Sequence, residues 1–245
     1  MRRRTVLVQI ASLATMLALR WRAGAEETAH WGYEGPTGPE HWGTEFPACA
    51  GRSQSPVDIN TAKKGSGHPI DFHYADSRLR IINNGHTVQV NYDEGSYIAV
   101  DGTQYQLIQF HFHRPSEERI EGRAYAFAAH LVHRSREGEL AVVAALFREG
   151  PNHPLIETIW QHLPGTIGEE LTATDTRINA GQLLPKGRGY YRYAGSLTTP
   201  PCTEGVKWNI LTTPGTVSSK QLAAFPFKMN ARPVQPLNGR LVEED

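Results

Sequence analysis

From about residue 77 onward the chain alternates apolar with polar positions in short runs, each closed by Gly, Asn, Asp or Pro. A period of two is the mark of a half-buried strand, whereas a helix repeats its apolar positions every three or four residues. The alternation predicts strands at 79–82, 87–92, 97–100, 105–113, 124–133, 140–147 and 206–212. Asp93-Glu94-Gly95, Glu121-Gly122 and Arg136-Glu137-Gly138 are tight-turn sequences between consecutive runs, so neighbouring strands should be antiparallel. The run LAVVAALF at 140–147 is apolar on both faces and belongs in the middle of the sheet. Helical periodicity is confined to 155–163 and 218–225, the second opening on a Ser218 cap. These patterns describe a mainly β chain, with a mostly antiparallel sheet and a few short peripheral helices.

The first 25 residues do not fit this pattern. Arg2, Arg3 and Arg4 precede a mostly apolar stretch at 6–19, and Ala23-Gly24-Ala25 is an A-x-A cleavage sequence, which together read as a signal peptide. The apolar stretch is too short to span a bilayer. Residues 26–245 are then one domain, since no repeat, charge run or low-complexity linker divides them. Removing the leader changes the charge: five of the 25 basic residues leave and all 25 acidic ones stay, giving about −5. An exported, mildly acidic chain with no basic block is a poor ligand for nucleic acid or an anionic membrane. The periplasm is the expected destination, secretion the alternative, and Sec and twin-arginine export both remain open. In an oxidising compartment the two cysteines, Cys49 and Cys202, favour a disulfide over two free thiols.

Candidate chemistry lies in the 105–113 strand. Gln109, His111 and His113 share one face, opposite Ile108, Phe110 and Phe112. Two imidazoles at i and i+2 stand about 6.6 Å apart along a strand, close enough to converge on one ion. His-x-His alone is weak, and two exposed sheet histidines are its commoner meaning. The next strand adds His130 as a third nitrogen ligand. Three neutral imidazoles suit one zinc ion per chain and leave a fourth, open position, the arrangement of a catalytic site.

Gln-Phe-His-Phe-His at 109–113, Ala-His-Leu-Val-His at 129–133 and Ser-Leu-Thr-Thr-Pro-Pro at 196–201 resemble the α-class carbonic anhydrases. His30-Trp31-Gly32-Tyr33, Gln54-Ser55-Pro56-Val57-Asp58-Ile59, Asn83-Asn84-Gly85-His86 and Asn230-Ala231-Arg232-Pro233 follow the family's order, so the resemblance covers about residues 30–240. It implies a twisted sheet of about ten strands and zinc-dependent, reversible hydration of CO2 to bicarbonate and a proton. It leaves open a side esterase activity and a homodimer. Inhibitory anions and sulfonamides are the expected ligands besides substrate and water.

By the same resemblance Thr198 orients the attacking hydroxide and gives its own proton to Glu117, and His86 shuttles the released proton. Tyr33, Asn84, Gln89 and Thr199 match polar residues that order the intervening water. Thr199 also belongs to the substrate pocket, whose apolar wall is matched by Val132, Val142, Leu197 and Trp208. Gln109 and the Asn230 carbonyl match the outer partners of His111 and His113. The pattern breaks at His130: the family commonly has a glutamate where this chain has Ala128, and a histidine where it has Glu118. The two changes read as one, with Glu118 accepting the free ring N–H of His130. The competing readings are an inactive carbonic anhydrase-like binding module and a periplasmic zinc-binding protein. Family members of the inactive kind lose a zinc ligand, and all three histidines are present here.

Overall fold

The computed structural model describes residues 30–65 and 67–245, so the leader read at 1–25 lies outside the described residues. One large mixed sheet dominates. Along its main path the strands run Glu170–Ile178, Ser77–Asn83, Val88–Asn91, Thr103–His113, Phe127–Ser135, Leu140–Glu149, Glu204–Leu211, Tyr190–Ser196, Glu243–Glu244 and Lys63–Lys64. The Leu140–Glu149 strand is central, as its two apolar faces require. Its residues 141–147 are all buried between an antiparallel neighbour, Phe127–Ser135, and a parallel one, Glu204–Leu211.

Each face of the sheet carries its own apolar layer. On one, Leu79, Val90, Phe110, Phe112, Phe127, Val143 and Phe147 pack with Leu155, Ile156 and Ile159 from the helix Pro154–Trp160. On the other, Val57, Ala128, Val142, Ala144, Tyr193 and Trp208 form a smaller cluster. Ser218 caps the helix Ser219–Ala224 through a capping box with Gln221, as its position in the sequence suggested.

Three local features differ from the sequence pattern. Leu107 pairs with His133 and Gln109 with Val132, so Ile108 is an extra residue in its strand. This bulge shifts the alternation and leaves Ile108 half-buried instead of in line with Phe110 and Phe112. Second, no simple hairpin joins Thr103–His113 to Phe127–Ser135. The connection makes a small sheet of its own, with Arg119–Ile120 beside Asp58–Ile59 and Arg123–Ala124. The Ser116 amide donates to the Tyr125 carbonyl at 3.0 Å and closes the neck of this excursion, where Glu117 and Glu118 are buried. Third, Glu170–Ile178 and Tyr190–Ser196 are strands without a clean alternation. The first is a largely exposed edge strand, and register shifts interrupt both.

Candidate metal centre

Register places the three candidate ligands. His111 and His130 face each other across one pair of strands, and His113 follows His111 on the same face. One ligating atom from each of the three lies within 4.8 Å of the others. The hydrogen bonds behind the rings decide which nitrogens these are. His113 Nδ1 is 2.7 Å from the main-chain oxygen of Asn230, which can only accept, so Nδ1 carries the proton and Nε2 the lone pair. His111 Nδ1 is 2.9 Å from Gln109 Oε1 and takes the same form. His130 is turned the other way, its Nε2 being 3.2 Å from Glu118 Oε2, which leaves the Nδ1 lone pair facing inward.

Electrostatics keep two of these rings neutral, as metal binding needs. Burial and the neighbouring His130 push His111 down to about 3. Burial, with His130 and His111, holds His113 well below the usual histidine range. For His130 burial, the largest single cause, acts in the same direction, but the Glu118 and Glu117 carboxylates together outweigh it and its pKa ends raised. His113 Nε2 is fully buried with no hydrogen-bond partner among the described residues, an orphan that a cation would satisfy. Three inward lone pairs of imidazole type fit zinc.

Beside the cluster, Glu117 Oε1 accepts from the Arg232 amide at 2.8 Å. Its Oε2 lies 3.4 Å from His113 Nε2 and 3.7 Å from His130 Nδ1. Burial raises the Glu117 carboxyl to about 7, helped by Glu118 and opposed by His130, the Thr198 hydroxyl and the Arg232 amide. The neighbouring Arg114 guanidinium donates elsewhere, to the Leu222 carbonyl at 2.7 Å.

Comparison with known proteins agrees with this geometry. Residues 37–245 match the family described as eukaryotic-type carbonic anhydrase. A carbonic anhydrase of Pectobacterium carotovorum is 41% identical over 239 residues, covering 94% of this chain and 97% of the relative. The chain belongs to the α-carbonic anhydrase family. An α-carbonic anhydrase from Thermovibrio ammonificans, solved with the inhibitor sulfanilamide, superposes with a TM-score of 0.84 at 44% identity, covering 88% of this chain and 99% of that one. A hyperthermostable carbonic anhydrase from a hydrothermal vent chimney gives 0.84 at 46% identity, with 88% and 99% covered.

Within this α-carbonic anhydrase fold, two adjacent rows cross the sheet on the histidine face. One runs Gln89, His111, His130, Ala144, Ile210; the other runs Asn91, Gln109, Val132, Val142, Trp208. The first is polar and carries two of the clustered histidines where the second becomes an apolar wall, and the Trp208 ring stands 4.9 Å from that of His130. Leu197 packs partly buried against the same wall. The 197–203 loop is closed by Leu197 N–H to the Thr203 carbonyl at 3.0 Å and by Cys202 N–H to the Thr199 carbonyl at 2.9 Å. Cys202 forms a disulfide with Cys49.

His86 lies farther out, half-buried, its ring stacked on Trp31 at 3.7 Å and 11°. Burial and the nearby His30 lower its pKa. Asn84 spends its side-chain oxygen on the amides of His86 and Thr87, at 3.0 and 2.9 Å, so only its amide nitrogen is left to face water. Gln89 donates to Asn91 at 2.7 Å. Tyr33 packs among Trp31 and Trp42, and burial, together with Glu117, holds its hydroxyl well above the usual range. Two residues of the site had no role in the sequence reading. Trp31 supports His86, and the buried Arg232 guanidinium donates to Gln54 and to the carbonyls of Ser55 and Cys49 at 2.8, 2.8 and 3.0 Å. Their signals were present in the His30-Trp31-Gly32-Tyr33 and Asn230-Ala231-Arg232-Pro233 runs.

Proposed function

We propose that this chain catalyses the zinc-dependent, reversible hydration of CO2 to bicarbonate and a proton. The observation that carries the reading is the convergence of three imidazole lone pairs beside an apolar wall and a buried hydroxyl–carboxylate pair. His111, His113 and His130 would hold the metal, which would supply Lewis acidity sufficient to make hydroxide available from water near neutral pH.

Thr198 orients that nucleophile. A hydroxyl has one proton; given to Glu117, it leaves the Thr198 oxygen able only to accept, which fixes the direction of the attacking lone pair. His130, the Thr198 hydroxyl and the Arg232 amide all favour the ionised form of Glu117 that this requires. Val132, Val142, Leu197 and Trp208 shape an apolar pocket for a substrate with no charge to anchor, and Thr199 adds one polar edge. Proton release is the next demand. An acid of pKa near 7 giving its proton directly to water is limited to on the order of 10³ s⁻¹, so His86 serves as relay, reached through water ordered by Tyr33, Asn84 and Gln89.

Gln109, the Asn230 carbonyl and Glu118 hold the three ligands in their tautomers. Glu118 is the unusual member: it reaches His130 from the neck of the 114–126 connection. Sulfonamides and small anions are the expected inhibitors. Among the described residues no helix is long and apolar enough to cross a membrane. The leader-like residues 1–25 and the Cys49–Cys202 bond support export to the periplasm. A homodimer is the assembly to look for by sedimentation. Stopped-flow CO2 hydration with and without a chelator tests the central reading. A zinc-dependent rate well above buffer background is expected, and its absence would sink the proposal in favour of a binding or zinc-buffering protein.

A further inference from the structure

We infer that the Asn230 side-chain amide clasps the His86 loop to the metal-ligand strand, so that one residue positions both the proton relay and a zinc ligand. The inference rests on reading His86 as the relay.

Asn230 is fully buried in a segment without regular structure, yet all its polar groups are engaged. Its main-chain N–H donates to the Arg114 carbonyl at 3.1 Å, and its main-chain oxygen receives the His113 ring at 2.7 Å. Its side-chain oxygen accepts from the Arg114 amide at 2.8 Å. The side-chain nitrogen has two hydrogens and two acceptors, the carbonyls of Phe112 at 2.9 Å and of His86 at 3.1 Å. One amide donor and two carbonyl acceptors fix which end of the side chain is oxygen. Phe112 lies between the ligands His111 and His113 in the chain, so this single amide group bridges the ligand strand and the relay loop.

The His86 loop needs such a tie. Gly85 adopts φ of +86°, where a glycine turns most freely. The Asn84 side chain holds the amides of His86 and Thr87, and the Thr87 hydroxyl reaches the Phe112 carbonyl. The carbonyl side of His86 is held by Asn230. Without that bond the His86 carbonyl is released from the ligand strand, and the imidazole is left to its stack on Trp31 and to the Asn84 and Thr87 ties on either side. Relay efficiency is steep in distance, a displacement of about 1 Å being able to cost about a hundredfold.

A bland alternative makes Asn230 only a buried residue that completes a strand end. The two differ in what they couple. A structural residue lowers turnover whether or not His86 is present; a clasp on His86 matters only while His86 is there to be placed. Asn230→Asp keeps the shape and the oxygen for the Arg114 amide but removes both donors, and Asn230→Ser is a second, smaller change; both retain the main-chain oxygen for His113. Each is combined with His86→Ala, and zinc content, melting and stopped-flow CO2 hydration at low buffer are measured.

The expected result is a fall in kcat of about tenfold, larger than the fall in kcat/KM, partly restored by added imidazole. In the His86→Ala background the same substitutions should cost much less. Equal losses in kcat and kcat/KM, or the same loss in both backgrounds, would overturn the inference. So would variants that all fail to fold or to take up zinc, since Asn230 would then be a folding residue. If the unaltered chain shows no zinc-dependent rate, the functional reading fails and this inference falls with it. If that chain is active and the two substitutions are additive, only this inference fails.

Discussion

At the residue scale the two adjacent glutamates illustrate how position divides like side chains. Glu117 faces the inner nitrogens of His113 and His130, and Glu118 the outer nitrogen of His130. Glu118→Gln keeps the shape and removes the negative charge behind His130, so zinc affinity should fall by about 10- to 100-fold, read by competition with a chromogenic chelator. An unchanged affinity would leave Glu118 as packing alone. On the proposed mechanism, Thr198→Ala removes the oxygen that would direct the nucleophile while leaving the three histidines in place. It should lower kcat/KM by on the order of a hundredfold with zinc content retained. As the proposed relay, His86 would set a pH limb: its imidazole accepts a proton only when neutral, and burial with His30 lowers its pKa from 6.5. Hydration kcat should therefore rise with pH through a midpoint below about 6.5, and His86→Ala should flatten that rise and lower the plateau. These residues stand in short runs of the sequence that resemble the family's, except Glu118, which stands out because it departs from that resemblance. Arg232 stands in the Asn230-Ala231-Arg232-Pro233 run, but its role could not be read there: it is a main-chain amide on Glu117 and a buried guanidinium 177 to 183 residues away in sequence from the carbonyls it serves.

At the scale of elements, alternation exposes strands that have one wet and one dry face, and it fails where that contrast is lost. The strands that form the site were legible for this reason, Thr103–His113 above all. The edge strand Glu170–Ile178 is exposed along most of its length, so few apolar positions mark it. Bulges fail differently: Ile108 looks like a core residue until the partner strand shows one residue too many. The 114–126 connection was hidden because turn chemistry at Glu121-Gly122 is the same whether the turn joins long strands or two-residue ones; the positive φ at both residues is real. The start of the helix Ser219–Ala224 was more legible, since a cap is local, whereas the helix expected over 155–163 ends at Trp160. Ser218 accepts from the Gln221 amide at 3.2 Å, and Gln221 also donates to the His153 carbonyl at 2.8 Å at the start of Pro154–Trp160. Ser218→Ala should cost about 1 kcal/mol in urea unfolding, with activity at 25 °C retained. A loss several times larger would mean that the cap also secures the contact between the two helices.

At the scale of the whole molecule, the Cys49–Cys202 bond joins segments 153 residues apart and ends beside the loop that carries Thr198. Two consequences compete, a loss of global stability on reduction and a loss of local order around Thr198. Closing so long a loop stabilises a domain by about 2–5 kcal/mol, mainly by restricting the unfolded chain. The local geometry has other holds: Gln54 donates to the Cys202 carbonyl at 3.2 Å, Arg232 binds Gln54, Ser55 and Cys49, and the loop closes on itself at 197–203 and 199–202. At about 0.5–1.5 kcal/mol each, more for those from the charged Arg232, these bonds together match the disulfide in magnitude and act in the folded state. The larger effect should therefore be on stability. Replacing both cysteines by serine should lower Tm by roughly 4–20 °C, while kcat/KM at 25 °C falls by less than about threefold, because the local bonds retain most of the Thr198 geometry. Differential scanning calorimetry and stopped-flow hydration on the same preparation check both halves. A small Tm shift with a large loss of kcat/KM would reverse the ranking and make the disulfide a direct positioning device for Thr198.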